Sequence, residues 1–514
     1  MCIRDSTAIA QFGRGDKYFG VCMMMLTMPG LPMFGHGQVE GFTEKYGMEY
    51  AKAYYDEQPD ENLVARHYHE IFPIMKKRPL FAEVRNFFLY DVYSPEGSVN
   101  ENIFAYSNRL ADEKALVVFN NCFEHAIGWI KTSVGYKQND EIRQSSLIDG
   151  LNLSHQDGTF VIFRDNASGM EFIRSNREIA ENGLMVALDG YKYNVFLDFR
   201  EVRSSRLRPY DRLAAELNGR GTESIDQAAL TMSLSPLHNL VTASLSSQML
   251  MPSPAELHGE KEALEFEKAI AVLVEHVAQQ FSELMERELT VSDTLPARAS
   301  ALYRRATAHA VLLPVQPDCR KLQTALGLSS SHGSEYFMIV RHWIVLDTLQ
   351  QVIVSNGIGT SNLIDDWLMS NALEAIYPEK GAIGIPGINL PDLFCCLLDH
   401  KPELVPDNPE EHLHALLKTL FAVDKKHLGR LLAFDERHHK FWFREHRFSV
   451  LMAWLTLQEL LKEPYETAEK AKPETLIGAW VEATEKIEMQ AFLAGYEIKE
   501  LMNTERELPN KILP

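Results

Sequence analysis

The stretch that decides the fold reads KYFGVCMMMLTMPGLPMFGHGQVEGF, residues 17–42. An apolar run over Tyr18–Thr27 predicts a helix, which the Met-Pro-Gly at 28–30 ends. The next residues, Leu31–Phe34, predict a short buried strand, and a polar loop with three glycines follows it. In a barrel of alternating strands and helices, such a strand delivers its loop to the rim where substrates bind. The stretch therefore predicts a helix, a turn, a buried strand and a glycine-rich polar loop.

Two later segments continue this pattern. Residues 62–80, NLVARHYHEIFPIMKKRPL, predict a helix that ends in basic residues before Pro-Leu, and residues 103–122 predict two strands. Together with residues 17–42, they resemble the α-amylase superfamily, glycoside hydrolase family 13. The three segments look like that family's last barrel strand with its preceding helix, its final barrel helix, and the first strands of its C-terminal β-sandwich. The resemblance covers residues 7–200.

The resemblance implies an enzyme that hydrolyses or transfers α-glucans such as maltooligosaccharides. The family places its three catalytic carboxylates at the ends of strands four, five and seven, and all three positions would precede Thr7. We therefore assign no catalytic residue and expect this chain alone to be inactive. The resemblance also implies that His36, Gln38 and Glu40 bind substrate. Where the family usually has Gln and Glu side by side, Val39 separates them here.

The chemistry of glycoside hydrolysis gives the same expectation without the family. Retaining enzymes hold two carboxyl groups about 5 Å apart, one of them with a raised pKa. Glu40 is the acidic residue of the predicted rim loop with nearby polar side chains, and one carboxylate is insufficient. A loop-capping or solvated acid is the alternative interpretation of Glu40. The tyrosine-rich residues 44–61 likewise fit either a surface that stacks on sugars or a packed loop insertion.

From residue 86 the apolar period changes to that of strands. Short apolar runs occur at Ile103–Tyr106, Ala115–Phe119 and Phe160–Phe163, and strict alternation follows over Tyr191–Phe199. Short strands at this spacing, joined by Gly-containing turns, predict an antiparallel β-sandwich over residues 86–200.

After the strands, the Arg/Ser-rich residues 201–220 predict a linker, and helical periodicity then begins. Residues 254–288 place apolar side chains at three- and four-residue steps, and similar patterns recur to residue 503. The predicted architecture is thus multidomain α and β: the C-terminal end of a truncated barrel (7–85), the β-sandwich (86–200) and an α-helical accessory domain (210–514). The second functional hypothesis is a non-catalytic scaffold whose helical domain binds a protein partner.

Composition limits the partners. The 514 residues carry a net charge of −20, which disfavours nucleic acid or an anionic membrane but not a neutral glucan. No run approaches the ~20 apolar residues that span a bilayer. Six cysteines without metal spacing fit reduced thiols in the cytoplasm, and we predict no cofactor. Residues 1–6 lack periodicity and are expected to be a truncation or assembly scar.

One spacing suggests a metal site. Glu436 and His439 stand three residues apart, so they would share a helix face, as ligands of di-metal carboxylate sites do. Arg437 and Lys440 are interleaved with them and would repel a cation. The sequence therefore favours a charged helix surface, and we predict no metal.

Overall fold

In the computed structural model, the chain forms two compact units, residues 1–233 and 234–514. A helix over Ile225–Leu245 contains the point at which the two units divide. The structure describes residues 7–44, 54–246, 260–316, 319–328, 334–358, 363–377, 385, 387–398, 408–423, 425–437, 440–462 and 473–502.

The first unit begins with helices. They are α1 (Ala8–Phe12), α2 (Asp16–Thr27), α3 (Glu61–Arg66), a π-helical turn (His67–Ile71), α4 (Phe72–Lys76) and α5 (Arg78–Ala82). The helix predicted over Tyr18–Thr27 is confirmed as α2. The helix predicted over residues 62–80 is confirmed in outline, with the π-helical turn inside it and a further turn at Lys77.

The strand predicted at Leu31–Phe34 is wrong for the described chain. The segment forms no regular secondary structure and pairs with no described strand, and Leu31 and Met33 are 86% and 72% exposed. Pro32 has no amide hydrogen to donate, and no described strand lies alongside to supply partners. The guanidinium of Arg78 instead binds the carbonyl oxygens of Leu26 at 2.6 Å and Met28 at 3.2 Å. The end of a (β/α)8 barrel is not confirmed.

One eight-stranded antiparallel sheet follows, in the order β8-β7-β10-β3-β2-β1-β4-β9. Its strands, with the small β5-β6 hairpin, are β1 (Phe88–Tyr93), β2 (Ile103–Leu110), β3 (Glu113–Asn120), β4 (Ala126–Ser133), β5 (Tyr136–Gln138), β6 (Glu141–Arg143), β7 (Thr159–Asp165), β8 (Glu171–Ser175), β9 (Leu184–Leu188) and β10 (Tyr193–Arg203). Helices α6 (Leu147–Gly150) and α7 (Asn176–Asn182) lie between strands in the sequence.

The sheet separates two cores because side chains alternate along each strand. In β3, Val117 and Phe119 belong to the core that includes α2 and α5, whereas Val118 belongs to the core on the opposite face. That second core also contains Phe163 of β7 and Val186 of β9, which lie near opposite ends of the strand order. The sheet therefore curls around its own second core.

This curled sheet corrects the predicted sandwich over residues 86–200. The predicted strands are present, but hydrogen bonds join eight of them into one sheet instead of two stacked sheets. The reason is that alternation identifies which side of a strand is buried but not which strand lies beside it.

The predicted linker over 201–220 is also wrong. Residues Glu201–Arg203 are the end of β10 and pair with β7, and α8 (Tyr210–Leu217) packs on Ile162 and Ile173. Arg208, one of the arginines that made the segment resemble a linker, contacts Asp226 at 3.3 Å, and Arg200 of β10 contacts the same carboxylate at 3.1 Å. The first compact unit extends to residue 233.

The described part of the second unit is mainly helical, as predicted. After α9 (Ile225–Leu245) come α10 (Glu260–Met285), α11 (Thr294–Leu312), a 3-10 turn (Leu313–Val315), α12 (Arg320–Ala325), α13 (Ser334–Ser355), α14 (Leu363–Asp366), α15 (Met369–Ile376), α16 (Leu390–Leu398), α17 (Pro409–Val423), α18 (Lys425–Leu432), β11 (Asp435–Arg437), β12 (Lys440–Trp442), α19 (Glu445–Lys462), α20 (Pro473–Leu493) and α21 (Ile498–Met502).

The charged helix surface predicted around Glu436 is wrong. Glu436 lies in a short hairpin, where it pairs with Phe441, and His439 lies outside the described residues. Because Glu436 lies in a strand and not in a helix, the helical argument for a shared face does not apply.

One described stretch, Glu335–Ser355, has the length and composition of a membrane-crossing helix, with a mean hydropathy of 1.3. Within its apolar window, 89% of the residues are buried inside the protein, as in core helices of water-soluble proteins. The cytoplasmic location stays a prediction.

We expect Gly20→Ala to destabilise the first unit. A Cβ atom at residue 20 would lie 2.1 Å from Cε2 of Phe119, and overpacking of this kind costs about 1–3 kcal/mol. The measurement is hydrogen exchange of the β3 and β10 amides. The matched control is Gly478→Ala, at an exposed helical glycine with no atom within 4 Å of the added Cβ, which should stabilise α20 by up to ~1 kcal/mol. A Gly20→Ala protein as stable as the wild type would contradict the close packing.

We expect the second unit to lose stability as the pH falls below 6.5. Burial lowers the pKa of His309 and of His342 from 6.5 to about 4. Because the unfolded chain takes up these protons and the folded chain does not, each histidine removes up to about 3 kcal/mol between the two pH values. Urea unfolding across this range should show a shallower decline for His309→Gln than for the wild type. Parallel curves would refute the assignment to His309.

Candidate functional site

The loop predicted to bind substrate is held by contacts at both ends. Gly41 adopts φ +85°, and a Cβ there would lie 2.9 Å from Leu63 Cδ2, so this position requires glycine. The Arg14 guanidinium donates to the Gly41 carbonyl oxygen at 2.7 Å. The amide of Asp60 donates to the Glu40 carbonyl oxygen at 2.9 Å. The carboxylate of Asp60 also accepts from the Leu63 amide, which caps α3 and fixes the loop to that helix.

Gln38 turns its side chain inward. Its Oε1 accepts a hydrogen bond from the Gly35 amide at 2.9 Å, and its Nε2 lies 3.6 Å from the Cys22 sulfur. The hydroxyl of Tyr18 lies 3.3 Å from the Gln38 carbonyl oxygen and 2.9 Å from Nε2 of His67. Nδ1 of His67 lies 2.8 Å from the Leu63 carbonyl oxygen, to which it donates. Gln38 is thus half-buried and joined to a polar cluster beneath the loop.

This cluster is held in its neutral forms. Burial lowers the pKa of His67 and raises the pKa of the Tyr18 hydroxyl. Burial also raises the pKa of the Cys22 thiol to about 11. Neutral His67 accepts a hydrogen bond from the Tyr18 hydroxyl at Nε2 and donates one to the Leu63 carbonyl oxygen at Nδ1. Both polar side chains therefore have hydrogen-bond partners, although aromatic rings surround His67. The arrangement supports the loop and offers no thiolate nucleophile.

Sequence reasoning missed Tyr18 and His67 as supports of the loop. The available signal was a histidine and a tyrosine on otherwise apolar helix faces, where each needs a buried partner. Their separation of 49 residues conceals the pairing until the helices are packed.

The other two predicted site residues, His36 and Glu40, differ from Gln38 in their contacts. His36 is exposed, and Glu40 is half-buried. The side chain of Glu40 makes no hydrogen bond to any residue that the structure describes, and its charge acts on His67 to raise that residue's pKa against the dominant effect of burial. Gln38 and Glu40 therefore lie on one loop near His67, and the Gln38 side chain stabilises that loop through its contacts with Gly35 and Cys22.

The carboxylates of two neighbouring acidic residues accept hydrogen bonds from backbone amides. Glu57 accepts from the amides of Thr43 and Glu44 at 2.8 and 2.9 Å, and its hydrogen bonds with Thr43 lower its pKa. Glu44 in turn accepts from the amides of Tyr54 and Tyr55 at 2.6 and 2.9 Å. The hydrogen bonds that lower the pKa of Glu57 favour its anion, so Glu57 is not suited to act as a general acid beside Glu40. Tyr54 and Tyr55 are 72% and 65% exposed.

An ion-pair network joins the helices below the loop to the sheet. Arg66 contacts Glu70 at 2.7 Å and Asp16 at 3.1 Å, and Lys192 contacts Asp16 at 2.8 Å. The hydroxyl of Tyr193, on β10, donates to Glu70. The network fixes α2 and α3 against the sheet and so fixes the direction in which the loop leaves them.

The second unit contains its own buried polar cluster. Nδ1 of His427 lies 2.7 Å from Asp392, and its Nε2 lies 2.9 Å from Asp365, while Arg430 contacts Asp392 at 2.6 Å. This arrangement ties α14, α16 and α18 together. Across the described residues, no group of three or more His, Cys, Asp or Glu side chains has the geometry of a metal site.

Comparison with known proteins gives little. No family model matches the chain, and no curated protein matches its sequence. The chain is weakly similar to the alpha-amylase from Geobacillus thermoleovorans, whose structure was solved in complex with acarbose. The two are 14% identical with a TM-score of 0.26, and the match covers 37% of this chain and 35% of that chain. The chain thus spans about a third of the length of the amylase that it matches. Similarity at this level carries no functional argument.

We expect Asp60→Ala to loosen the loop and the start of α3. The substitution removes the helix cap and the 3.4 Å contact with Arg14, and loss of such a cap costs about 1 kcal/mol. Asp60→Asn keeps the capping oxygen and is the matched control. Faster hydrogen exchange over residues 35–43 and 61–66 in Asp60→Ala, largely restored in Asp60→Asn, is the expected result. Equal protection in Asp60→Ala and the wild type would show that the cap does not hold the loop.

Proposed function

We propose that residues 7–233 are the C-terminal portion of an α-amylase-type glycoside hydrolase or glucanotransferase that acts on α-glucans. The observation that carries the proposal is the order of the three resembling segments. The amino-acid sequence resembles the family in three segments, residues 17–42, 62–80 and 103–122. In the structure, the first segment forms a helix and a glycine loop, the second forms a helix beneath that loop, and the third forms the antiparallel strands beside them.

The packing supports this proposal physically. The helices α2 and α5 share one core with β2, β3 and β10, so the resembling segments form one body and not three unrelated matches. Leu31 and Met33 are exposed. In the proposed parent enzyme, Leu31–Phe34 corresponds to the family's last barrel strand. Apolar side chains at such a position fit a segment that pairs with barrel strands in the parent enzyme.

Within this proposal, the loop residues divide into two roles. Glu40 and His36 contact the glucan, because Glu40 is free of side-chain hydrogen bonds in the described chain and His36 is exposed. Gln38, which the resemblance also implies in substrate binding, acts by shaping the loop through Gly35 and Cys22. In this proposal, the catalytic carboxylates lie in the barrel of the parent enzyme.

We expect the chain by itself to release no reducing sugar from starch or maltooligosaccharides. A single unpaired carboxylate cannot supply both the nucleophile and the acid of retaining hydrolysis. The measurement is a reducing-sugar assay with the wild type and Glu40→Gln in parallel. Turnover by the wild type that disappears in Glu40→Gln would overturn this part of the proposal.

The proposal as a whole is tested on the gene. The sequence upstream of the Thr7 codon should encode a barrel with Asp and Glu at strand ends, and a protein expressed from that longer frame should cleave or transfer maltooligosaccharides. In that protein, Glu40→Gln should raise KM about tenfold, the loss of one charge-assisted hydrogen bond to a sugar hydroxyl. Glu61→Gln, in the first turn of α3, is the matched control and should leave KM unchanged. An upstream frame without such a barrel would refute the proposal.

A further inference from the structure

The second unit contains a cavity of about 330 Å³ where three helices meet. One wall is α12, one is a stripe of α19 through His446, Ser449 and Ala453, and one is α20. The floor is aliphatic and buried, since Leu322 and Val481 are each 6% exposed. A concave site of this volume with an apolar floor and a few polar groups on its walls has the anatomy of a small-molecule site.

Charged side chains of both signs line this cavity. Arg320 and Lys321 stand on the α12 wall, and Glu485 and Glu488 stand on the α20 wall. Within the described residues, none of the four forms an ion pair with an oppositely charged side chain. Outside the cavity on α20, Lys486 contacts Glu482 at 3.1 Å and Glu410 at 3.5 Å. The described cavity thus presents basic groups on one wall and acidic groups on another that form no ion pair with each other.

The environment of Glu488 shows that the anionic wall is partly desolvated. Burial is the main cause of the raised pKa of Glu488, and the nearby charges of Glu485 and Glu445 add to it. A hydrogen bond with Ser449 and the charge of Lys321 oppose the rise without cancelling it. A carboxylate in this position gains from a bound cationic group that replaces the lost hydration.

We propose that this cavity binds a small aliphatic zwitterion, an amino acid or a dipeptide. Its carboxylate pairs with Arg320 and Lys321, its ammonium group pairs with Glu485 and Glu488, and its side chain rests on the aliphatic floor. This site is separate from the glucan-binding loop and does not depend on the function proposed for it.

The balance of charges selects this class of ligand. Two basic and two acidic groups sum to no net charge, so a simple anion or a simple cation meets as much repulsion as attraction across the cavity. A molecule with both charges meets attraction at each end and is oriented by it. No Phe, Tyr or Trp side chain lines the described cavity, which favours an aliphatic over an aromatic ligand.

The test is isothermal titration calorimetry of the full chain with L-leucine and leucyl-leucine, which also decides between the two ligand lengths. N-acetyl-leucine lacks the ammonium group and leucinamide lacks the carboxylate, and each should bind about tenfold more weakly than leucine. Lys321→Ala and Glu488→Gln should weaken binding by a similar factor. Lys486→Ala and Glu482→Gln, on α20 but outside the cavity, are the matched controls and should bind as the wild type does.

Several outcomes would overturn the proposal. They are no heat of binding with either zwitterion up to the order of 10 mM, a capped analogue that binds as well as its parent, and control variants that weaken binding as much as the cavity variants do. Circular dichroism establishes that each variant is folded before titration. Should Glu488→Gln fail to fold, Glu485→Gln takes its place, since Glu485 is exposed and its removal does not disturb the floor.

Discussion

The first unit depends on the close approach of helix α2 to strand β3. At Gly20 the helix backbone comes so near the Phe119 ring that a single methyl group would not fit. At the end of the same helix, Thr27 and Tyr106 of β2 share a hydrogen bond of 2.6 Å between their hydroxyl groups. These contacts set both the distance and the direction of α2 on the sheet. Every later feature of the unit, including the glycine loop, takes its position from that helix.

The loop inherits its order from buried polar groups beneath α2. Neutral His67 receives the Tyr18 hydroxyl and donates to a main-chain carbonyl, so neither residue is left unsatisfied in an apolar environment. Gln38 continues the same network upward into the loop. A loop that rests on satisfied hydrogen bonds keeps its shape without a ligand, and a loop ordered in advance loses less entropy when a ligand binds.

Much of this fold could be predicted from local sequence, and the reasons for the failures are physical. Helix α2 and strand β3 are predictable because apolar residues recur every 3.6 residues in a helix and every second residue in a strand, and neighbouring residues suffice to show either pattern. The curl of the sheet was not, since β7 and β9 meet through a shared core that no local pattern encodes. The prediction for Leu31–Phe34 is wrong because a short apolar run resembles a buried strand whether or not neighbouring strands are there to pair with it.

The candidate site was predictable to the same extent. The sequence located the loop and its polar residues, but it could not indicate that Gln38 turns inward, because that depends on Cys22 and Gly35 being within reach. The aliphatic cavity in the second unit could not be predicted from the sequence for a similar reason. Its charged walls come from segments more than a hundred residues apart, and each charge taken alone resembles an ordinary surface residue.

The π-helical turn at His67–Ile71 limits how the chain can change in length. A π-helical turn holds one residue more than the α-helical turn it replaces, and each residue of an α-helix advances its successors by about 100°. Deleting one residue within this turn would restore an α-helical turn and leave the residues after it nearly in register. A deletion in the regular turns on either side would instead rotate the residues after it and carry Arg78 away from the carbonyl oxygens it binds. Loss of a single codon should therefore be tolerated within His67–Ile71 and rejected in the regular turns of α3 and α4.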